Sequence, residues 1–186
     1  KPYTRKILFD REEVYTFEDE PIRFEYVNEV VFPMVETFDQ SAPFSSVDTI
    51  GGTPMTVTEI DGRTVGHVAL LDSNSQYFDL QTPYCILPCR GTSCFWEMDF
   101  KCDNEITAEL AFLTTSNTIR YEPLVVLRET DGEWKRICIN LTQVLATNSP
   151  STGDMYARLM IHSAQKNDKP THFYFDNLRI ITYKTN

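Results

Sequence analysis

No stretch of this 186-residue chain approaches the run of about eighteen apolar residues that a membrane-spanning helix needs. Basic residues are also in short supply. Seventeen Lys and Arg stand against twenty-seven Asp and Glu, a net charge of −10, and an anionic surface repels phosphate backbones and anionic lipid heads. Nucleic acid is thereby excluded as the expected partner. The acid is uneven: residues 9–40 hold ten carboxylates against Arg11 and Arg23, which reads as a solvated front segment that aids solubility, with a cation-binding tail as the alternative. Helical periodicity is missing apart from Leu141–Ala146, one turn with Asn140 or Thr142 as its cap, and mixed α/β topologies fall away with it. Neither an internal repeat nor a low-complexity tract is present.

The numbering opens at Lys1 with no Met, no charged leader region and no apolar core to follow it. Lys1–Leu8 reads as the exposed start of a mature envelope protein, so an upstream or removed leader is the expected route to peripheral membrane attachment.

From about Val35, short runs with β-branched or aromatic residues on a two-residue period alternate with turn signals at Asp61-Gly62, Asp72–Ser75, Arg90-Gly91, Asp103-Asn104, Asp131-Gly132 and Ser149–Gly153. That spacing predicts an all-β fold with little helix, an antiparallel β-sandwich whose eight strands suit a jelly roll. The strands are expected at 64–71, 76–82, 94–102, 105–113, 120–128, 133–141, 155–163 and 171–183. Residues 1–35 are expected to form an extended front segment, with strand-like runs at Ile22–Val27 and Val30–Phe32, leading into a sandwich over 36–186.

Successive strand side chains point to opposite faces. Ile137, Ile139 and Leu141 therefore belong to the core, as do Met155, Ala157, Leu159 and Ile161. The alternate positions, Trp134, Arg136, Tyr156, Arg158 and His162, combine ring planes with directional donors, the inventory a sugar-binding sheet needs. The same residues also suit an ordinary outward face. If strand pairing brings both rows together, an uncharged or anionic sugar is the expected ligand, the two arginines favouring an acidic one.

Four segments resemble jelly-roll domains of the galactose-binding-like and carbohydrate-binding-module type: Glu36-Thr-Phe-Asp39, Cys94-Phe-Trp-Glu-Met-Asp-Phe-Lys101, the run Gly132–Thr142 and the closing Phe173-Tyr-Phe-Asp-Asn-Leu-Arg-Ile180. The resemblance implies a last strand that closes the sandwich beside the first, and a setting among bacterial surface lipoproteins and glycan-degrading systems. It also implies a structural calcium held by Glu36 or Asp39 together with Asp176, oxygen ligands being suited to that ion. Asp176 can equally serve as an acceptor for backbone amides at the strand's end.

Trp96-Glu-Met-Asp-Phe100 resembles the start of a laminarinase-type glycosidase motif, but Lys101 and Cys102 stand where its second Glu would be. A retaining mechanism needs two carboxyl groups about 5–5.5 Å apart, so no catalytic residue is nominated and Glu97 and Asp99 are expected on a solvent face. His67, His162 and His172 fall in no triad or zinc-helix spacing. The spacings among Cys85, Cys89, Cys94, Cys102 and Cys138 match no standard zinc ribbon or finger; Cys89 with Cys94 is the pair favoured for any disulfide, and five reduced, mostly buried thiols are the equal alternative. The function expected is therefore non-catalytic carbohydrate binding at a cell surface, with a structural or adhesive spacer as the alternative.

Overall fold

The computed structural model describes residues 2–7, 11–16, 30–39, 47–114, 116–148, 155–167 and 169–183. Strands β1 (Pro2–Ile7) and β2 (Arg11–Thr16) pair as a separate antiparallel hairpin. The remaining strands are β3 (Val30–Glu36), β4 (Asp48–Gly52), β5 (Thr56–Ile60), β6 (Arg63–Leu70), β7 (Tyr77–Gln81), β8 (Cys85–Leu87), β9 (Cys94–Cys102), β10 (Ile106–Leu113), β11 (Ile119–Leu127), β12 (Lys135–Asn140), β13 (Met155–Ala164) and β14 (Thr171–Tyr183). One helix, α1 (Thr142–Asn148), lies between β12 and β13. The first sheet runs β12-β9-β14-β6-β5 with β3 on the far part of β14, and the second runs β11-β10-β13-β7-β4 with β8 on β13, all antiparallel. The expected sandwich and the eight expected strands are present. The sandwich also takes in β3 from Val30; Ile22–Val27 lies outside the described residues.

Alternation places the core between the sheets. Trp96, Met98 and Phe100 of β9 face Leu159 and Ile161 of β13, Leu110 of β10 and Phe78 and Leu80 of β7 within one buried cluster. Ile137 and Ile139 pack against it from the edge strand β12, and Leu141 is fully buried. At the start of α1, Asn140 Oδ1 accepts the Thr142 amide at 2.9 Å, the local bond that makes Asn a favoured cap.

Two Asp-Gly pairs make tight turns. Asp61 and Gly62 both have positive φ, 54° and 73°, and join Ile60 to its partner Arg63, the conformation of a two-residue hairpin turn whose twist matches the strands. Asp131 and Gly132, at 53° and 81°, take the same conformation in a tight turn closed by the Glu133 amide on the Thr130 carbonyl at 3.0 Å, where the chain passes from β11 in the second sheet to β12 in the first. In β14, Asn177 sits at φ 50° where the register to β9 shifts between Asp176 and Arg179. This bulge changes the parity of the strand: Phe173 and Phe175 face the core before it, Leu178 and Ile180 after it.

Gly52, at φ +70°, is held differently from Gly62. A Cβ on Gly52 would lie 2.1 Å from the Tyr77 carbonyl oxygen, which is itself pinned by the Thr53 amide at 2.8 Å; a Cβ on Gly62 meets nothing within 4 Å. Gly62→Ala is expected to cost only the left-handed penalty of about 1–2 kcal/mol. Gly52→Ala is expected to cost more than that, because the clash is with backbone. Chemical denaturation of both variants measures the difference.

Candidate functional site

The outer face of the first sheet is a closed electrostatic network. Asp99, buried, accepts from Arg136 Nε at 2.6 Å and Nη2 at 3.0 Å, from Asn177 Nδ2 at 2.9 Å and from Arg63 Nη1 at 3.4 Å. Arg136, ahead of the smaller contributions of Asn177 and Arg63, holds the Asp99 carboxyl below the ordinary carboxylate range. Arg179 binds Glu97 through Nε and Nη2 at 2.7 and 2.5 Å. Asp61 accepts from Lys101 and from Trp134 Nε1, both at 3.2 Å. Glu97 and Asp99, expected on a solvent face, are thus committed to ion pairs, because cross-strand neighbours bring arginines onto them.

Ring faces are also occupied here. Tyr174 stacks on His67 with centroids 4.5 Å apart and planes 6° apart, close to the spacing of neighbouring strands, so these rings stand upright and offer edges to solvent. Arg63 lies 4.9 Å over Trp134.

His67 Nε2 and His172 Nδ1 are 3.1 Å apart with ring centroids 5.4 Å apart and planes 13° apart. The two ring nitrogens are within hydrogen-bonding distance, one donating and the other accepting according to tautomer. Burial, and then the neighbouring His172, lower the pKa of His67 below 6.5. The unfolded chain consequently binds this proton more readily than the folded one, so stability is fully present above about pH 6.5 and declines as pH falls through the folded value. The stability difference between the parent and His67→Gln, followed by denaturation from pH 7.5 to 5, is expected to shrink with acidification.

The outer face of the second sheet is different. Its register forms a grid: His162 lies between Thr107 and Asp79, Met160 between Glu109 and Gln81, Arg158 beside Ala111, and Tyr156 beside Ile86. Gly51 lies on the far side of Asp79 and adds no side chain. Tyr77, Tyr84, Tyr121 and Tyr156 are 54%, 39%, 50% and 55% exposed. The Arg158 guanidinium lies 4.7 Å over Tyr84. Among the described residues, Asp79 Oδ1, Gln81 Oε1 and Arg158 Nε are buried with no hydrogen-bond partner. A groove of about 570 Å³ opens beside Asp79, lined also by Tyr77, Asn104, Glu105, Thr107 and His162 among others, within the volume range of ligand sites.

The five residues expected on one ligand face therefore divide. Trp134 and Arg136 are carried by the β12 end of the first sheet, and Tyr156, Arg158 and His162 by β13 in the second. The physical reason is that the chain changes sheets between β12 and β13: the intervening stretch, which includes α1, is too long for a hairpin, so the two strands need not pair. Arg136 is spent on Asp99, which removes the second arginine from the case for an acidic sugar. Asp79, Gln81, Tyr77, Tyr84 and Tyr121 were not singled out by sequence. Alternation in Tyr77-Phe-Asp-Leu-Gln81 sets the polar residues on one face, the only signal available for them.

The expected calcium ligands Glu36 and Asp176 each accept a backbone amide. Glu36 Oε1 accepts the Phe38 amide at 2.7 Å, Asp176 Oδ1 accepts the Asn177 amide at 2.7 Å, and Asp176 Oδ2 lies 3.6 Å from Arg63 Nη1. Burial raises the Asp176 pKa, with Arg63 opposing. Asp39 is exposed. Among the described residues no three His, Cys, Asp or Glu side chains converge to hold a metal, and the cation between Asp99 and Asp176 is a guanidinium. All five cysteines are free, Cys89 and Cys94 included; burial pushes the thiol of Cys85 up to about 11 and those of Cys94 and Cys102 to about 12, so these three behave as small apolar groups.

No family model and no curated protein matches the sequence. Solved structures do match. The carbohydrate-binding-module family 22 and glycoside-hydrolase family 10 modules of a Clostridium thermocellum endo-1,4-β-xylanase, complexed with xylohexaose, align over 83% of this chain and 29% of theirs, with a TM-score of 0.60 and 19% identity. A family 22 xylan-binding domain from Paenibacillus barcinonensis aligns over 84% of this chain and 97% of its own, with a TM-score of 0.55 and 10% identity. A family 28 module specific for non-crystalline cellulose gives 84%, 95%, 0.54 and 15%. The fold is similar to that of carbohydrate-binding modules. This chain spans less than a third of the xylanase fragment and nearly the whole of the two isolated modules.

Proposed function

We propose that the chain is a non-catalytic glycan-binding module whose ligand lies on the outer face of the second sheet. The observation that carries this is the contrast between the two faces. Asp79, Gln81 and Arg158 hold buried polar atoms without partners beside four exposed tyrosines, whereas the charged groups of the first sheet are paired with each other. A buried polar atom left unpaired costs about 1–3 kcal/mol, and a sugar's hydroxyls can supply donors and acceptors while its apolar face covers a tyrosine ring. Tyr156, Arg158 and His162 keep their expected role, joined by Tyr77, Asp79, Gln81 and Tyr84.

The similar modules are described with xylan, xylohexaose and non-crystalline cellulose, which supports a polysaccharide as the ligand class. Absence of catalysis is supported by Glu97 and Asp99, whose carboxylates are occupied by Arg179, Arg136 and Arg63 and cannot shuttle protons freely. Placement at a cell surface rests on the sequence resemblance alone. The test is a glycan array with the purified chain, followed by affinity electrophoresis in gels containing soluble polysaccharides. Retardation by at least one polysaccharide is expected. No retardation and a blank array would overturn the proposal in favour of a spacer role.

A further inference from the structure

We infer that the groove beside Asp79 selects a glycan carrying a free amine, a 2-amino-2-deoxy sugar unit in its ammonium form, over its neutral or acidic counterparts. This rests on the glycan reading of the second sheet and names its ligand more closely. None of the groove's lining residues is Lys or Arg; the side chains it offers include the carboxylates of Asp79 and Glu105, the Tyr77 ring and His162. Two of the hydrogen-bond donors at its rim are engaged. Asn104 Nδ2 donates to the Ala164 carbonyl at 2.9 Å, and the Ser163 hydroxyl donates to the Glu105 carbonyl.

Asp79 is the deciding residue. Its Oδ1 is shut off from solvent and has no partner, although His162 is its direct cross-strand neighbour. On its other side Gly51 adds no side chain: a Cβ there would stand 3.5 Å from both Asp79 Cβ and Tyr77 Cε2, so the Tyr77 ring and the Asp79 side chain both border that glycine. A carboxylate is most strongly satisfied by a cationic donor, and a tyrosine face attracts a cation as well. The next rows add Glu109, across from Met160, and Asp48, across from Gln81. Of the cations nearby, Arg158 is drawn over Tyr84, and Arg128 and Lys166 line a separate recess beyond Asn104 and Glu105, where Lys166 is paired with Glu129. An acidic sugar would meet carboxylates in this groove, and an N-acetylated one would present an uncharged amide to Asp79.

Isothermal titration of the full chain with a glucosamine hexamer, the N-acetylglucosamine hexamer, cellohexaose and a galacturonate hexamer tests this, at a pH where the sugar amine is protonated. The amine-bearing hexamer is expected to bind at least about tenfold tighter than the other three, with the preference falling as salt rises. Asp79→Asn is expected to bring it to parity with cellohexaose while the thermal melt is retained, and Glu105→Gln to reduce it in part. Equal or tighter binding of cellohexaose overturns the inference and leaves the glycan reading standing. A preference that survives Asp79→Asn also overturns it, since it then comes from the overall charge of −10. If none of the four hexamers binds and the array is blank, both readings fall together.

Discussion

Replacing Trp96 by alanine is expected to cost about 3–5 kcal/mol of stability, a large part of the roughly 5–15 kcal/mol that holds a domain folded. Trp96 is fully buried on β9, flanked by Ile139 of β12 and Ile180 of β14, and no smaller side chain can reach across the same space between the sheets. For a chain of this size the loss corresponds to a fall in Tm of roughly 6–20 °C. Trp96→Phe is expected to cost far less. Trp96 Nε1 has no hydrogen-bond partner among the described residues, so phenylalanine removes an unsatisfied donor worth about 1–3 kcal/mol and offsets part of the smaller cavity it leaves. Calorimetry of the two variants separates the effects. A phenylalanine variant as damaged as the alanine one would mean that the indole N–H is satisfied in solution.

The strands that were legible in the sequence are those in which alternation runs for six residues or more between turn signals, such as Cys94–Cys102 and Thr171–Tyr183. The three overlooked within the sandwich after Val35 each have a physical reason. Asp48–Gly52 ends in two glycines and resembles a loop; it becomes a strand because Gly51 and Gly52 pack tightly on β7. Thr56–Ile60 is an edge strand with little burial to betray it. Cys85–Leu87 is three residues long between Pro83 and Pro88, and exists because β13 offers it partners. Alternation likewise placed Tyr156, Arg158 and His162 on an outward row, and Trp134 and Arg136 on another, each correctly for its own strand. It carries no information on which strands become neighbours. That depends on the change of sheets between β12 and β13, and on arginines from distant strands meeting at Asp99. The unpartnered state of Asp79 was illegible for the same reason: it follows from Gly51 and His162 standing on either side of it, a relation between strands far apart in the chain.

Which face binds is decided by comparing one residue from each. Arg158→Ala is expected to lower affinity for the polysaccharide found in the array by about 2 kcal/mol, roughly thirtyfold, the size of a binding hot spot, since it removes a buried unpartnered donor and the cover over the Tyr84 ring. Tyr156→Ala, which deletes a 55% exposed ring, is expected to lose about 1 kcal/mol or more through stacking. Trp134→Ala is expected to leave affinity unchanged and to cost under about 1 kcal/mol of stability, because its partners Asp61 and Arg63 remain in contact with water and with other charges. Thermal melts run alongside the binding measurements keep misfolding separate from loss of contact. If Trp134→Ala abolishes binding while Arg158→Ala spares it, the ligand sits on the first sheet. The unpaired groups of the second would then require another explanation, since burying Asp79, Gln81 and Arg158 without partners costs stability that a ligand on the opposite face cannot return.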